Sequence, residues 1–376
     1  MNTATKEYHF IQELREQPNV VRASLQSEQP RLETFAEKFA GKIDRVILIG
    51  CGDPNMLSIA AANAFEKWVG VPTEAVEAAE FTLYRNPALL NERTLVVLIS
   101  SSGKTVKVID AARIARSRGA PVFALTNRVP SPITEETDQI LQTRAGWSDS
   151  FPTKQTTAAL ALLDALALEW AKRAKSFDAS ALESLSSELN DHIADKMAQT
   201  LQLEARMKDL ASNFLDAPIY QYIGSGPNLA TALLGAAKIK ETSQGRAEAS
   251  NVEEFAHLHG LSMKEGDPIF IVTAPGPIDE RNRLIAQWIL TNGGIPLVVG
   301  STVAKEAWAG LAVSYIEVPD HDEMFGPLIS LLPLQMFAHY IAIGRERNPD
   351  RPPERGDMQY IQQIIYTSVL EGWENR

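Results

Sequence analysis

The chain has 376 residues, 45% of them hydrophobic and 22% charged, which suits a globular protein of roughly two domains. A net charge of −11 speaks against nucleic acid as a partner, whose phosphates need a basic face, yet leaves room for a local site that takes a small anion. The single cysteine, Cys51, allows no disulfide within the chain and makes a reducing compartment the default.

Residues 1–43 read as an N-terminal helical segment, and the opening MNTATKEYHFIQELREQP lacks the apolar core of a signal peptide. RVILIG (45–50) reads as a strand, with a helix expected from about Pro54 to Trp68. TLVVLIS (94–100) leads into a helix over 104–118, and PVFALTN (121–127) is the next strand. Strands alternating with such helices predict a parallel sheet covered on both faces. Helical sequence fills 153–174 and 179–214. TAALALLDALALEWA, read as the longest apolar run, is interrupted by Asp164 and falls short of the about 18 residues that suggest a membrane span. A soluble, cytoplasmic protein with no membrane partner is therefore expected.

The same order then returns. IYQYIGSGPN (219–228) matches RVILIGCGDPN, PIFIVTAPG (268–276) matches TLVVLISSSG, and GIPLVVGST (294–302) matches GAPVFALTN, each at an offset of 173 to 175 residues. The expected fold class is α/β, with two tandem doubly wound parallel-sheet domains at 44–174 and 216–348. A helical linker (175–215) joins them, and a helical tail (349–376) follows.

The segment SSSGKT places Ser100, Ser101, Ser102 and Thr105 between a buried strand and a helix. Ligands of open parallel sheets sit beyond the carboxyl ends of the strands, where helix N-termini favour anions. One hydroxyl suffices to cap a helix; four exceed that need and suit the several acceptor oxygens of a phosphate. GKT is not a P-loop, because Leu98 stands where its first glycine belongs. GCGDPN and GSGPNL miss the third glycine of the dinucleotide fingerprint, at Asn55 and Leu229. An anionic metabolite without a nucleotide fits better, and no cofactor is expected.

Together, GCG before a helix, SSSGKT, EAAEFTLYRNP (77–87), PTKQTTAALALL (152–163) and the second GSG unit resemble tandem sugar isomerase (SIS) domains. Such pairs form the isomerase half of the glucosamine-6-phosphate synthases and also the fructosamine-6-phosphate deglycases. AAKIKETSQGRAEASNVEEFAHLHG (236–260) and PLISLLPLQMFAHYIAIGR (327–345) are similar to the most diagnostic family segments. The resemblance implies an anionic sugar of the 6-phosphosugar class as substrate and a homodimer with a shared active site. It implies that Ser100, Ser101, Ser102 and Thr105 hold the phosphate, with Cys51, Gly52 and Lys154 also in the sugar site. Glu241 matches the carboxylate that shuttles a proton between C1 and C2, and Lys238 matches a lysine near it. His257 matches the histidine that opens the sugar ring, usually from the partner subunit.

The chemistry is reasonable on its own terms: one carboxylate can move a proton beside a carbonyl, and an imidazole suits ring opening near neutral pH. Without the motif, Glu241 reads as a solvated helix residue. His257 and His259 have no third ligand at matching spacing, so no metal is expected. His339 reads as a packed core histidine, Cys51 alone reads as a buried thiol, and Lys154 alone as an exposed helix start. PDHDEMFG (319–326) reads as a loop that bears on specificity.

Three departures from the family matter. Residue 2 is Asn, and no glutaminase sequence precedes the first unit, so glutamine-dependent amination is not expected. The sequence after 348 has no lysine for a Schiff base with the ketose. Lys104 puts a cation beside the hydroxyl cluster, whereas TAPGPIDE in the second half lacks serines, so one anion site is expected, in the first domain. The reading is an aldose–ketose isomerase; a deglycase or deaminase of amino-sugar phosphates is the alternative, and a non-catalytic sugar-phosphate sensor a third.

Overall fold

A computed structural model describes residues 7–351. The expected tail at 349–376 lies almost wholly outside the described residues, as does the start of the N-terminal segment.

Two compact units emerge, and the chain passes between them more than once. Among the described residues, one comprises Asn19–Gly146 and Lys154–Asp191, and the other comprises 7–18, Trp147–Thr153 and 192–351. The long helix His9–Phe39 therefore contributes to both.

In the first unit, β1 (Arg45–Gly50), β2 (Thr73–Glu77), β3 (Thr94–Ile99), β4 (Val122–Thr126) and β5 (Ile140–Gln142) form one sheet in the order β2-β1-β3-β4-β5. Every pairing is parallel. Alternation of side chains divides each strand between two helical layers. Ile47, Ile49, Val96 and Leu98 pack with Val108 and Ile109 of the helix Val106–Ser117. On β4, Val122 and Ala124 join that layer, while Phe123 meets Phe35 edge-on at 5.4 Å. Trp170 stands among Phe39 and Phe65 at 5.7 and 5.9 Å.

In the second unit, β6 (Tyr220–Ile223), β7 (Ala247–Ser250), β8 (Pro268–Val272), β9 (Ile295–Ser301) and β10 (Ser314–Val318) pair in parallel in the order β10-β9-β8-β6-β7. Counted from its own first strand, this is the same order as in the first sheet. Ile223, Ile269, Ile271 and Val298 pack with Phe255, Ile285 and Trp308. On the other layer Tyr222 stacks on Phe270 at 5.0 Å, and Phe270 meets Phe337 of the helix Leu331–Gly344. The stretch Glu323–Gly344 is long and apolar enough to cross a membrane, but its most apolar window is 89% buried in the protein. It is thus a more apolar run than TAALALLDALALEWA, and a core helix.

The three strands expected in each half are present, and the sheets are the α/β arrangement the sequence predicts. Four more strands were not expected: β2, β5, β7 and β10. All are sheet edges, either polar in sequence, such as TEAVE and AEAS, or as short as ILQ. An edge strand with one half-exposed face carries no apolar run, so its sequence gives little signal.

Both units turn from their first strand into a helix at a glycine with no room for a side chain. A Cβ at Gly50 would lie 2.5 Å from the Pro54 Cβ, and one at Gly224 would lie 2.0 Å from the Asn228 carbonyl oxygen. Gly50→Ala and Gly224→Ala are therefore each predicted to destabilise by about 1–3 kcal/mol, as overpacking does. Urea unfolding followed by circular dichroism checks this; midpoints equal to wild type would contradict it.

Candidate functional site

The register that sets Ile49 beside Leu98 brings the ends of β1 and β3 together, so Gly50–Gly52 and the turn Ser100–Thr105 open on the same edge. Strand order reverses here, since the chain moves from β1 to β2 on one side and from β3 to β4 on the other. In sheets of this kind that edge is where ligands bind.

The Ser100 N–H donates to the Leu125 carbonyl at 3.1 Å, which continues the ladder one residue beyond β3. The side chain is buried, its hydroxyl 2.9 Å from Thr105 Oγ1 and accepting from the Gly103 N–H at 3.1 Å. Ser102 Oγ accepts from the Lys104 N–H at 3.2 Å. Gly103 adopts φ +66°, and a Cβ there would sit 2.1 Å from Ser131 Oγ, so both conformation and space demand glycine. Thr105 is the N-cap residue of the helix Val106–Ser117, but its hydroxyl makes no capping bond. Capping thus does not account for the cluster: the Thr105 hydroxyl is turned to Ser100 instead. Half-buried Ser101 and Ser102 and exposed Lys104 lie beside the N-terminus of that helix, which attracts negative charge.

Gly52 (φ +63°) precedes the helix Asp53–Ala64, which also has no side-chain cap at its N-cap residue. Half-buried Cys51 donates to Glu77 Oε1 at 3.1 Å. Glu77 is fixed in turn by the Ala79 and Glu80 N–H groups at 2.7 and 3.0 Å. Burial, reinforced by the Glu77 carboxylate, pushes the Cys51 thiol up to about 12. Lys154 opens the helix Lys154–Ala174 and is buried, where its sequence position alone suggested exposure. Two residues on, the Thr156 hydroxyl donates to Asp53 Oδ2 at 2.9 Å and ties this helix start to the one that follows Gly52.

In the second unit, Lys238 and Glu241 are one turn apart on the helix Asn228–Ser243. Lys238 is wholly buried, and its Nζ lies 2.8 Å from Glu241 Oε2, whose side chain is 26% exposed. A buried ammonium needs such a partner; stripping it away costs about 3–5 kcal/mol. The Glu241 carboxylate is therefore no freely solvated helix residue. His257 ends the short helix Val252–His257 with its side chain 79% exposed and Nε2 3.9 Å from Glu253. It makes no hydrogen bond to Glu241 among the described residues. Leu258 and Leu261 beside it are 60% and 73% exposed.

His339 is a core histidine, as expected: it stacks on Phe10 at 6.0 Å, and burial pushes its imidazole down to about 4. His259 lies 3.4 Å from Glu248, and no cluster of metal-ligating side chains occurs among the described residues. In the loop 319–326, Asp320 and Asp322 accept backbone N–H groups of Val303 and Met324, both at 2.9 Å. Glu77 and Asp53 escaped the sequence reading, although Glu77 opens the quoted EAAEFTLYRNP.

Residues 41–169 match the family model of the SIS domain. A relative from Corynebacterium glutamicum, a glutamine–fructose-6-phosphate aminotransferase (isomerizing), is 32% identical over 354 residues. The match covers 90% of this chain but 56% of the relative, so the chain spans about half the length of the curated relatives it matches. Among solved structures, the C-terminal domain of the Francisella tularensis glucosamine-fructose-6-phosphate aminotransferase superposes with TM-score 0.86 at 22% identity, covering 93% of this chain and 100% of that one. The Escherichia coli tagatose-6-phosphate ketose/aldose isomerase gives 0.75 at 18% identity, over 94% and 97% of the two chains. Residues 41–169 are thus similar to a SIS domain, and both sheets share the α/β fold of these solved structures.

The Cys51 environment makes a direct prediction. At pH 8, iodoacetamide should alkylate Cys51 at least about 100-fold more slowly than free cysteine, because so little thiolate is present. Glu77→Gln should speed the reaction. Mass spectrometry follows both rates, and a wild-type rate near that of free cysteine would contradict the assignment.

Proposed function

We propose that the chain is an aldose–ketose isomerase for sugars bearing an anionic group of the 6-phosphate class. The observation that carries this reading is the turn Ser100–Thr105, a group of hydroxyls beside a helix N-terminus that no N-cap side chain occupies. Its hydroxyls and backbone N–H groups suit phosphate oxygens, and Lys104 adds charge. Cys51, Gly52 and Lys154 are assigned to the sugar site; with its thiol held protonated, Cys51 is a neutral hydrogen-bonding group there.

Glu241 is assigned the proton shuttle. It removes the proton from the carbon beside the carbonyl, leaving an enediolate; a proton passes from the hydroxyl on that carbon to the former carbonyl oxygen, and Glu241 returns its own proton to the former carbonyl carbon, so that hydroxyl and carbonyl have exchanged places. Lys238, held in place by the pair, keeps the carboxylate oriented. His257 is assigned ring opening, which moves a proton from the anomeric hydroxyl to the ring oxygen. At 79% exposure this imidazole excludes no water within a single chain. The apolar Leu258 and Leu261 around it support a homodimer in which a second copy covers His257 and shares the site. The relatives' activity, an isomerizing aminotransfer on fructose 6-phosphate, agrees with chemistry at these two carbons.

Proton NMR in D2O with a panel of 6-phosphosugars and 6-phosphofructosamines tests the reading. The expected result is deuterium at C1 or C2 with ketose–aldose interconversion. Release of free amine from a phosphofructosamine would make the protein a deglycase instead, and binding without turnover a sensor. Glu241→Gln should lower kcat by about 10²–10⁴-fold with substrate binding retained. Ser102→Ala should raise KM by roughly 10-fold with kcat little changed. Unchanged turnover in Glu241→Gln would remove the mechanism.

A further inference from the structure

The turn after β8 occupies in the second sheet the place that Ser100–Thr105 occupies in the first. Thr273 N–H donates to the Val299 carbonyl at 2.9 Å, as Ser100 N–H does to Leu125. The Thr273 hydroxyl is buried too, but it donates to a carboxylate: Asp279 Oδ1, at 2.9 Å. The same oxygen accepts the Trp308 indole N–H at 2.9 Å, and Arg283 Nε lies 3.4 Å from Oδ2. The Asn282 amide donates to Thr273 Oγ1 at 3.1 Å and completes the cluster. Asp279 itself is 7% exposed and sits in the first turn of the helix Pro277–Thr291.

A hydroxyl, an indole N–H, a guanidinium and a helix N-terminus together are the donors an anion needs. Here the anion is part of the chain. We propose that Asp279 is a built-in anion that fills the second turn, closes it to phosphate, and so confines anion binding to the first sheet. This rests on reading Ser100–Thr105 as the phosphate turn. The absence of serines in TAPGPIDE alone would leave the second turn weak; a buried carboxylate makes it repel. The field reaches further: burial, then Asp279, Glu317 and Asp320, hold the Tyr315 hydroxyl well above its usual value.

Removing the carboxylate leaves its donors facing a space of carboxylate size. Inorganic phosphate titrated calorimetrically into Asp279→Ala should show about one bound phosphate per chain more than wild type. The variant should melt roughly 5–10 °C lower, since two donors lose their acceptor and a guanidinium its ion pair. Formate should restore much of that loss while leaving wild type unmoved. Asp279→Asn keeps the space filled and should gain no phosphate. Wild-type binding reports on the first turn and the increment in Asp279→Ala on the second, so the two readings fail separately. No additional phosphate, whether or not formate stabilises the variant, would overturn the proposal. Should Asp279→Ala fold only when formate or phosphate is present, that supports it; failure to fold in either overturns it.

Discussion

The turn between β3 and its helix depends on one residue that cannot carry a side chain. Gly103, in a left-handed conformation and against Ser131, folds the backbone so that Ser100 and Thr105 face each other at 2.9 Å. With the Thr105 hydroxyl drawn inward, the helix N-terminus is not capped by its own N-cap residue. A helix end in that state offers N–H groups and a positive dipole to whatever lies outside it. Parallel pairing of β1 and β3 then places Gly50–Gly52 next to this turn. Local conformation, sheet register and electrostatics thus converge on one edge of the first sheet.

The second sheet repeats the architecture with different contacts at the corresponding turn. Its strands follow the same order, and Gly224 makes the same close approach as Gly50. The hydroxyl after β8 meets a carboxylate where its counterpart meets a hydroxyl. The groups proposed to move a proton lie instead on the helix Asn228–Ser243, where a buried ammonium and a half-buried carboxylate stabilise one another. The pair holds the Glu241 carboxylate in one orientation, which suits the proton transfer proposed for it.

Much of the fold was legible because central parallel strands are apolar on both faces and stand out as runs such as RVILIG and TLVVLI. The edge strands were not legible: TEAVE and AEAS owe their conformation to a neighbouring strand rather than to their own pattern. At the candidate site the hydroxyl cluster and Lys238 with Glu241 could be picked out, but their partners could not. That Cys51 donates to Glu77, or that Lys154 is buried, depends on contacts between segments 26 or more residues apart and on which side of a helix the chain returns. Asp279 was invisible for the same reason, since an acidic residue in PIDE gives no sign that the Trp308 indole, 29 residues on, donates to it.

The central claim is that the turn Ser100–Thr105 binds the anionic group of a sugar. Calorimetric titration with a 6-phosphosugar and with the same sugar lacking its phosphate tests it most directly. The account predicts a preference of at least about 100-fold for the phosphorylated sugar, as several charge-assisted hydrogen bonds would give, and loss of most of that preference in Ser100→Ala with Ser102→Ala. Equal affinity for the two sugars, or an undiminished preference in the double variant, would contradict it.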